Sequence, residues 1–409
     1  MKNYNWTYQT EVNSDTINNL SKELTISEPL SKILCQRGYD SFDKAKEFFR
    51  PSLEELHDPF LMKDMDKAVN RLVDAIHGNE KILVYGDYDV DGTTSVALVY
   101  SYLIEIYPNV DFYIPDRYHE GYGISKKGID FAEENDFKLI ISLDCGIKAV
   151  DKIEYANSKS IDFIICDHHT PGDKVPDAVA ILDPKQNGCE YPYKELSGCG
   201  VGFKLMQAFA IQNGLDDNLI LQYLDYLAIS IAADIVPMDG ENRILAYYGM
   251  QIINFTENRA GISVLKELAG FESKITITNV VFGFAPRINA AGRMGDAKNA
   301  VKLLISKNLE SAHAIGESVN QDNTDRRGLE STIAEEVIDI ISQSEELINK
   351  KTTVLYKDEW HKGVIGIVAS RSIETYYRPT IILTNNNGIL SGAARSVAGF
   401  SVYDAIDAC

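Results

Sequence analysis

From Lys81 onward the chain alternates short apolar runs with helix-like segments, and this alternation constrains the fold more than any other feature. Lys81–Tyr85 predicts a strand and Thr94–Tyr107 a helix. Strand Val110–Ile114, helix Lys126–Asn135, strand Lys138–Leu143, helix Lys148–Ser158 and strand Asp162–Cys166 follow in turn. Parallel neighbours need long crossovers, usually helical. The pattern therefore implies right-handed crossovers and a mostly parallel sheet with helices on both faces, an α/β fold. The chain has 409 residues, too many for one compact core. Residues 1–78 read as a helical lead-in, with fragments Asp43–Phe49 and Met65–Ile76, and residues 79–240 as the sheet domain. The grammar is mainly helical from about Val201 to Lys350. Its longest candidates are Gln222–Ala233 and Asn308–Ile348, the second weakened by Gly316 and Gly328. Residues 241–350 are thus expected to be a helical connector. Residues 351–409 read as a second, smaller α/β domain: strand Thr353–Tyr356, helix Val364–Tyr376, strand Thr380–Leu383, turn Asn385–Gly388, strand Ile389–Ala394 and a last helix, Val402–Cys409.

Ligands of open parallel sheets sit beyond the carboxyl ends of the strands, and this chain puts acids there repeatedly. The first strand runs into Gly86-Asp87-Tyr88-Asp89-Val90-Asp91-Gly92, the third into Asp144-Cys145-Gly146, the fourth into Asp167-His168-His169, and Asp234 closes the apolar stretch before it. So many carboxylates on one edge repel each other unless cations neutralise them. Carboxylates with one or two imidazoles suit Mn2+ or Mg2+ better than zinc, since no cysteine stands at ligand spacing. The acids suffice for two ions sharing a bridging carboxylate, an arrangement that activates water and stabilises a leaving oxygen in phosphoryl chemistry. Asp89 and Asp91, at i and i+2, point the same way if the strand persists, and Gly92 then permits a sharp turn. A lone DxDxD is more often a solvated turn, and a lone His-His pair is more often structural. The recurrence at strand after strand, with Asp234 in an apolar setting, favours a metal centre.

Forty basic and sixty acidic residues give a formal charge of −20. A general electrostatic affinity for nucleic acid is therefore excluded as the main signal, and a phosphate-bearing substrate needs a local basic patch or bound cations. The six cysteines are scattered, with no CxxC pair, and read as reduced thiols. No apolar run is long enough to span a membrane, and Met1–Trp6 lack the apolar core of a signal peptide. A cytoplasmic protein with no membrane partner and no organic cofactor is expected.

Asp167-His168-His169 resembles the triplet that names the DHH phosphoesterase superfamily. Within it, Tyr85–Thr94, Pro286-Arg287-Ile288-Asn289-Ala290-Ala291-Gly292-Arg293-Met294-Gly295 and Trp360–Arg371 resemble, in order, motifs of the RecJ family, the last opening its accessory DHHA1 domain. The resemblance runs from about Lys81 to the end of the chain. It implies metal ligands at Asp89, Asp91, Asp144, His168 and Asp234, with Asp87 and Asp167 beside them, and His169 in a catalytic rather than ligating role. It also implies a strand gripped between two domains and hydrolysed from its 5′ end to mononucleotides, in DNA repair and recombination. Arg117, in the loop Ile114–His119, matches a position for the 5′ phosphate. Arg287, Asn289, Arg293, Arg371 and Arg395 are further expected substrate contacts, planar guanidinium groups being suited to phosphate. Single-stranded DNA, a single-strand-binding protein and a helicase are the expected partners. Two departures stand out: Tyr85 occupies a place where many superfamily members have histidine, and Ala393 one where RecJ proteins usually have serine. The accessory domain is expected to be partial, with no oligonucleotide-binding barrel after it, so the grip on long strands should be weak and salt-sensitive. Two other readings stay open: a phosphodiesterase of short oligonucleotides or dinucleotides, favoured by the −20 charge, and a non-catalytic DHH-fold scaffold, disfavoured by the retained acids.

Overall fold

The computed structural model describes Thr7, residues 11–386 and residues 388–409; the polar leader Met1–Trp6 and Asn387 of the expected turn lie outside them. Its main sheet has five strands, β1 (Lys81–Gly86), β2 (Val110–Tyr113), β3 (Phe137–Leu143), β4 (Asp162–Cys166) and β5 (Ala180–Leu182), in the order β2-β1-β3-β4-β5. All neighbours are parallel: Tyr85 stands opposite Tyr113 on one side and Ser142 on the other, and Leu143 opposite Cys166. Strand residues alternate between faces. Ile82, Val84, Leu139, Ile141 and Ile164 therefore join one core, together with residues of helices Met65–His77, Val90–Ile106 and Gly198–Gln212. Leu83, Tyr85, Ile140, Phe163 and Ile165 join a second core, under helices Lys126–Glu134 and Val150–Ser158. Burial of both faces explains why the strands are nearly continuous apolar runs. β5 was not anticipated, because three apolar residues carry no periodicity.

Strand order reverses between β1 and β3, which makes their carboxyl edge the switch point of the sheet. The chain leaves β1 at Gly86 and enters a helix at Val90, four residues before the expected start. Asp89 is that helix's N-cap, its Oδ1 accepting the Gly92 N–H at 3.1 Å. Asp89 and Asp91 are thus not paired along a strand, as the sequence suggested. Gly92 serves close approach rather than a sharp turn: a Cβ there would overlap the backbone of Asp87.

The lead-in is fixed to the main core by a buried ion pair, Lys204 Nζ to Glu241 Oε1 at 2.8 Å. Both ends also bind His57, whose N–H donates to Glu241 and whose carbonyl accepts from Lys204. Such a pair is tolerable in the interior because its remaining hydrogen bonds are made.

The expected helix Asn308–Ile348 is continuous only over Leu309–Ser342, and Glu345–Asn349 form a separate turn of helix. It passes through Gly316, where a side chain would strike Val264, and through Gly328, which faces open space. At about 1.5 Å per residue this helix is roughly 50 Å long. Its first half, with Ala312 and Val319, belongs to the main core. Its second half, with Ile333, Val337 and Ile341, shares a core with Trp360, Val364, Val368 and Ile382 of the accessory unit. That unit is a three-stranded sheet, β6 (Thr353–Tyr356), β7 (Thr380–Asn386) and β8 (Ile389–Arg395), in the order β6-β7-β8, covered by helix Ile365–Thr375. β6 and β7 are parallel, β7 and β8 antiparallel.

Candidate metal centre

Three loops at the carboxyl edge and the end of one helix bring the acids together. Asp91, in the first turn of helix Val90–Ile106, is buried and faces the start of helix Gly198–Gln212. Gly198 N–H donates to its Oδ2 at 2.6 Å, Cys199 N–H to its Oδ1 at 2.9 Å, and Ser230 Oγ to Oδ1 at 2.6 Å. The free N–H groups of a helix N-terminus are suited to holding a carboxylate. Asp144 follows β3 with φ +59°, a left-handed conformation unusual for a residue with a side chain. Asp234 ends helix Leu224–Ala233.

His168 Nε2 meets this set at 3.2 Å from Asp144 Oδ1, 3.6 Å from Asp234 Oδ2 and 3.7 Å from Asp91 Oδ2. Three groups of ligand atoms, each within 4.8 Å, result: Asp91, His168 and Asp234; Asp87, Asp89 and Asp144; and Asp144, His168 and His169. Asp144 belongs to two of them, and no cysteine joins any group among the described residues. Burial, reinforced by Asp89, pushes the Asp87 carboxyl up to about 8, and burial with the neighbouring acids pushes Asp144 far above its ordinary range. Burial likewise raises Asp91, against the favourable effect of His168. Asp87 Oδ2 and Asp234 Oδ2 are buried with no hydrogen-bond partner. Crowded acids, unpaired inward oxygens and an all-oxygen-and-imidazole donor set fit hard divalent cations such as Mn2+ or Mg2+.

Asp167, read from the sequence as a possible ligand, stands outside these groups. Its Oδ2 accepts from Ile147 N–H at 2.8 Å, and its Oδ1 from the N–H groups of His168 and His169 and from His169 Nδ1 at 2.8 Å. Burial alone would raise its pKa, yet His169 and these donors hold it below the usual range. The same bond raises His169. Adjacent histidines therefore diverge: His168 Nε2 faces the acids, and His169 Nε2 faces the Tyr122 hydroxyl at 3.3 Å. Tyr85 faces away, its hydroxyl tying Gly123 O and Ser125 N, so it holds the loop under Tyr122. Tyr122 was missed in the sequence; its signal is the Gly-Tyr-Gly run 121–123, whose glycines have φ of +88° and +75°.

The expected substrate contacts separate. Arg117 lies over the Tyr88 ring, 4.1 Å from its centroid, with its Nε buried and unpartnered. Arg293 is held by the Gly363 carbonyl at 3.0 Å; burial, with Arg117 and Arg326 nearby, lowers it to about 10. Asn289 is half-buried on the same helix, Ala285–Met294. Arg287 departs from expectation: its three nitrogens donate to Asn320 Oδ1, Gly283 O and Leu268 O, so it ties the connector together. Arg371 pairs with buried Glu330 at 2.6 Å, which also binds Arg326 at 2.5 Å, linking the long helix to the accessory helix. Arg395 Nε donates to Ser370 Oγ at 2.7 Å.

Residues 81–231 match the family model described as the N-terminal domain of the DHH family. The chain is 39% identical over 398 residues to the single-stranded-DNA-specific exonuclease RecJ of Bacillus subtilis (strain 168), covering 97% of this chain and 50% of that protein. A crystal structure of exonuclease RecJ bound to manganese superposes with a TM-score of 0.76 at 31% identity, covering 87% of each chain. The RecJ of Thermus thermophilus in complex with Mn2+ gives a TM-score of 0.82 at 28% identity, covering 96% of this chain and 55% of that one. The chain spans about half to two thirds of the length of the curated relatives it matches. No described helix is long and apolar enough to cross a membrane.

Proposed function

The chain belongs to the RecJ family, and from that premise we propose that it is a metal-dependent exonuclease that hydrolyses single-stranded DNA from the 5′ end to mononucleotides, in DNA repair and recombination. The observation that carries the proposal is the convergence of Asp87, Asp89, Asp91, Asp144, His168 and Asp234 on one sheet edge, with the unpaired Arg117 beside them. These six residues are the proposed holders of two Mn2+ or Mg2+ ions. When bound, such ions lower the pKa of a water nucleophile and offset charge on the phosphodiester oxygens.

The remaining work falls to the chain. Asp167 fixes the His169 imidazole through Nδ1 and raises its pKa, which favours the protonated ring, whose Nε2 would meet charge developing on the phosphoryl group. Arg117 and Arg293 supply positive charge for the phosphates of the strand, and a protein of charge −20 needs such a local source. Arg371 and Arg395 stand on the accessory side as proposed backbone contacts. A single-strand-binding protein and a helicase, which hold and expose single strands, are the proposed partners, and a cytoplasmic location belongs to the same reading.

The test is digestion of 5′- and 3′-labelled single strands with Mn2+, with and without excess chelator. Early release of labelled mononucleotide from the 5′ end alone, abolished by chelator, is expected. Full turnover in chelator, or equal cutting inward from 3′ ends, refutes the reading.

A further inference from the structure

We propose that Tyr88 is the positioning residue for recognition of the strand's 5′ end, its ring holding the Arg117 guanidinium by its charge so that no carboxylate takes the N–H groups needed for a terminal phosphate. The proposal rests on the reading of Arg117 as a phosphate contact.

An arginine is usually oriented by a carboxylate, which occupies the N–H groups it orients. Arg117 has no such partner. Its guanidinium carbon is 4.1 Å from the centre of the Tyr88 ring, its Nε is buried without a hydrogen bond, and it forms no ion pair among the described residues. A ring attracts the cation through its π face and takes none of its N–H donors as a hydrogen-bond partner, unlike a carboxylate. A terminal phosphate carries more charge than an internal diester and takes two parallel N–H bonds from an arginine edge.

The ring is itself held in place. It meets Tyr122 edge-on at 6.0 Å. At the Tyr88 main chain, Gly292 approaches so closely that a Cβ would lie 2.7 Å from the Tyr88 carbonyl and 3.5 Å from its Cβ, which fixes the base of the side chain. The backbone next to Arg117 is fixed independently: Tyr118 N–H donates to Asp116 Oδ1 at 2.8 Å, and the Tyr118 hydroxyl donates to the Arg293 carbonyl. What remains to be set is the direction of the Arg117 side chain, and Tyr88 sets it. Because Tyr88 stands between Asp87 and Asp89, the residue that orients the phosphate contact and two proposed metal-holding acids are consecutive. The distance from the strand's end to the bond that breaks is thereby fixed too, so Tyr88 also governs product length.

The experiment compares kcat/KM on one single strand with a 5′-phosphate or a 5′-hydroxyl, in the full chain and in Tyr88→Leu, Tyr88→Phe, Arg117→Ala and the Tyr88→Leu/Arg117→Ala double variant. Tyr88→Leu should reduce the preference for phosphate by roughly 3- to 30-fold, the span of a cation–π contact. The loss should fall on KM for the phosphorylated strand rather than on kcat, and products longer than one nucleotide should appear. Tyr88→Phe should restore the preference to within about twofold, and the double variant should discriminate no worse than Arg117→Ala. An unchanged preference in Tyr88→Leu, or additive losses in the double variant, overturns the proposal. Should Tyr88→Leu not fold, Tyr88→Phe is compared with Tyr88→His, whose ring is a poorer cation partner. Lower discrimination in the histidine variant supports the proposal and equal discrimination overturns it. Failure of the unsubstituted chain to cut either strand would instead refute the exonuclease reading itself.

Discussion

Gly198→Ala tests whether the candidate centre is built as tightly as its geometry implies. Gly198 begins the helix whose N–H groups hold Asp91, and a Cβ there would lie 2.6 Å from Asp144 Cβ and 2.9 Å from Asp144 Cα and Oδ1. Carbon atoms pack comfortably only beyond about 3.5 Å, so the overlap is roughly 0.9 Å. Neither side can retreat freely. Asp144 is bonded through its N–H to the Cys166 carbonyl at 2.9 Å, and its φ of +59° is already unusual. The helix is tethered by Asp91, and it lies so close to β3 that a Cβ at Gly202 would reach Leu143 Cδ2 at 2.9 Å. Overpacking of this kind costs about 1–3 kcal/mol of stability. A shift of about 1 Å in a reacting group costs on the order of 100-fold in rate. The variant is therefore expected to fold, to unfold a few degrees lower and to lose roughly 100-fold in strand cleavage. It should also forfeit most of the stabilisation by Mn2+, which for a single site is about 2.7 kcal/mol at a hundred times Kd. Thermal unfolding with and without Mn2+, alongside steady-state cleavage, measures all three. Gly200→Ala controls for general helix effects, since its Cβ would meet Leu196 no closer than 3.3 Å. Wild-type cleavage and wild-type Mn2+ stabilisation in Gly198→Ala would refute the reasoning.

Asp144→Ala should abolish cleavage while the fold persists, because removing one of several crowded acids relieves repulsion; calorimetric titration with Mn2+ should show a lost site, and a full complement of ions would count against the shared role of Asp144. Asp183, after β5, is fully buried, and burial together with Asp167 raises its carboxyl to about 7. A raised acid stabilises the fold while protonated, so this contribution is present below about pH 4 and is lost as pH rises toward 7, on the order of 4 kcal/mol in all. Asp183→Asn should flatten the stability profile over that range, and parallel profiles for the two proteins would contradict it. Glu330→Gln should weaken the tie between Arg326 and Arg371; with Arg371 half exposed the loss is about 1–2 kcal/mol, read as earlier urea unfolding of the accessory unit by Trp360 fluorescence.

The acids were legible in the sequence because strand, turn and carboxylate lie within a few residues of one another, as in β1 and Asp87 to Asp91. What those acids touch was not. Asp91 is held by Gly198, 107 residues away, and no local pattern encodes that pairing. Asp167 looked like Asp144 in sequence, each directly following a strand, yet one is surrounded by N–H donors and the other by acids. The arginines show the same limit. The segment from Pro286 to Gly295 marked Arg287 and Arg293 alike, but the backbone carbonyls of Gly283 and Leu268 claim the first. Tyr88 and Tyr122 passed as ordinary aromatics because their value lies in the groups that reach them, Arg117 and His169.

The carboxylates are oriented largely by main-chain N–H groups: Asp91 by residues 198 and 199, Asp167 by residues 147, 168 and 169, and Asp87 by residue 123. Every residue except proline supplies that donor, whatever its side chain. Around these anchors, sequence drift at exposed neighbours such as Lys148 or Thr170 leaves the donors in place. A single added or deleted residue between Asp144 and Ile147, or between Ser197 and Cys199, moves a donor off its oxygen. Libraries of variants should thus find these loops permissive to exchange at their exposed positions, restrictive at the acids and at Gly146 and Gly198, and intolerant of any change in length.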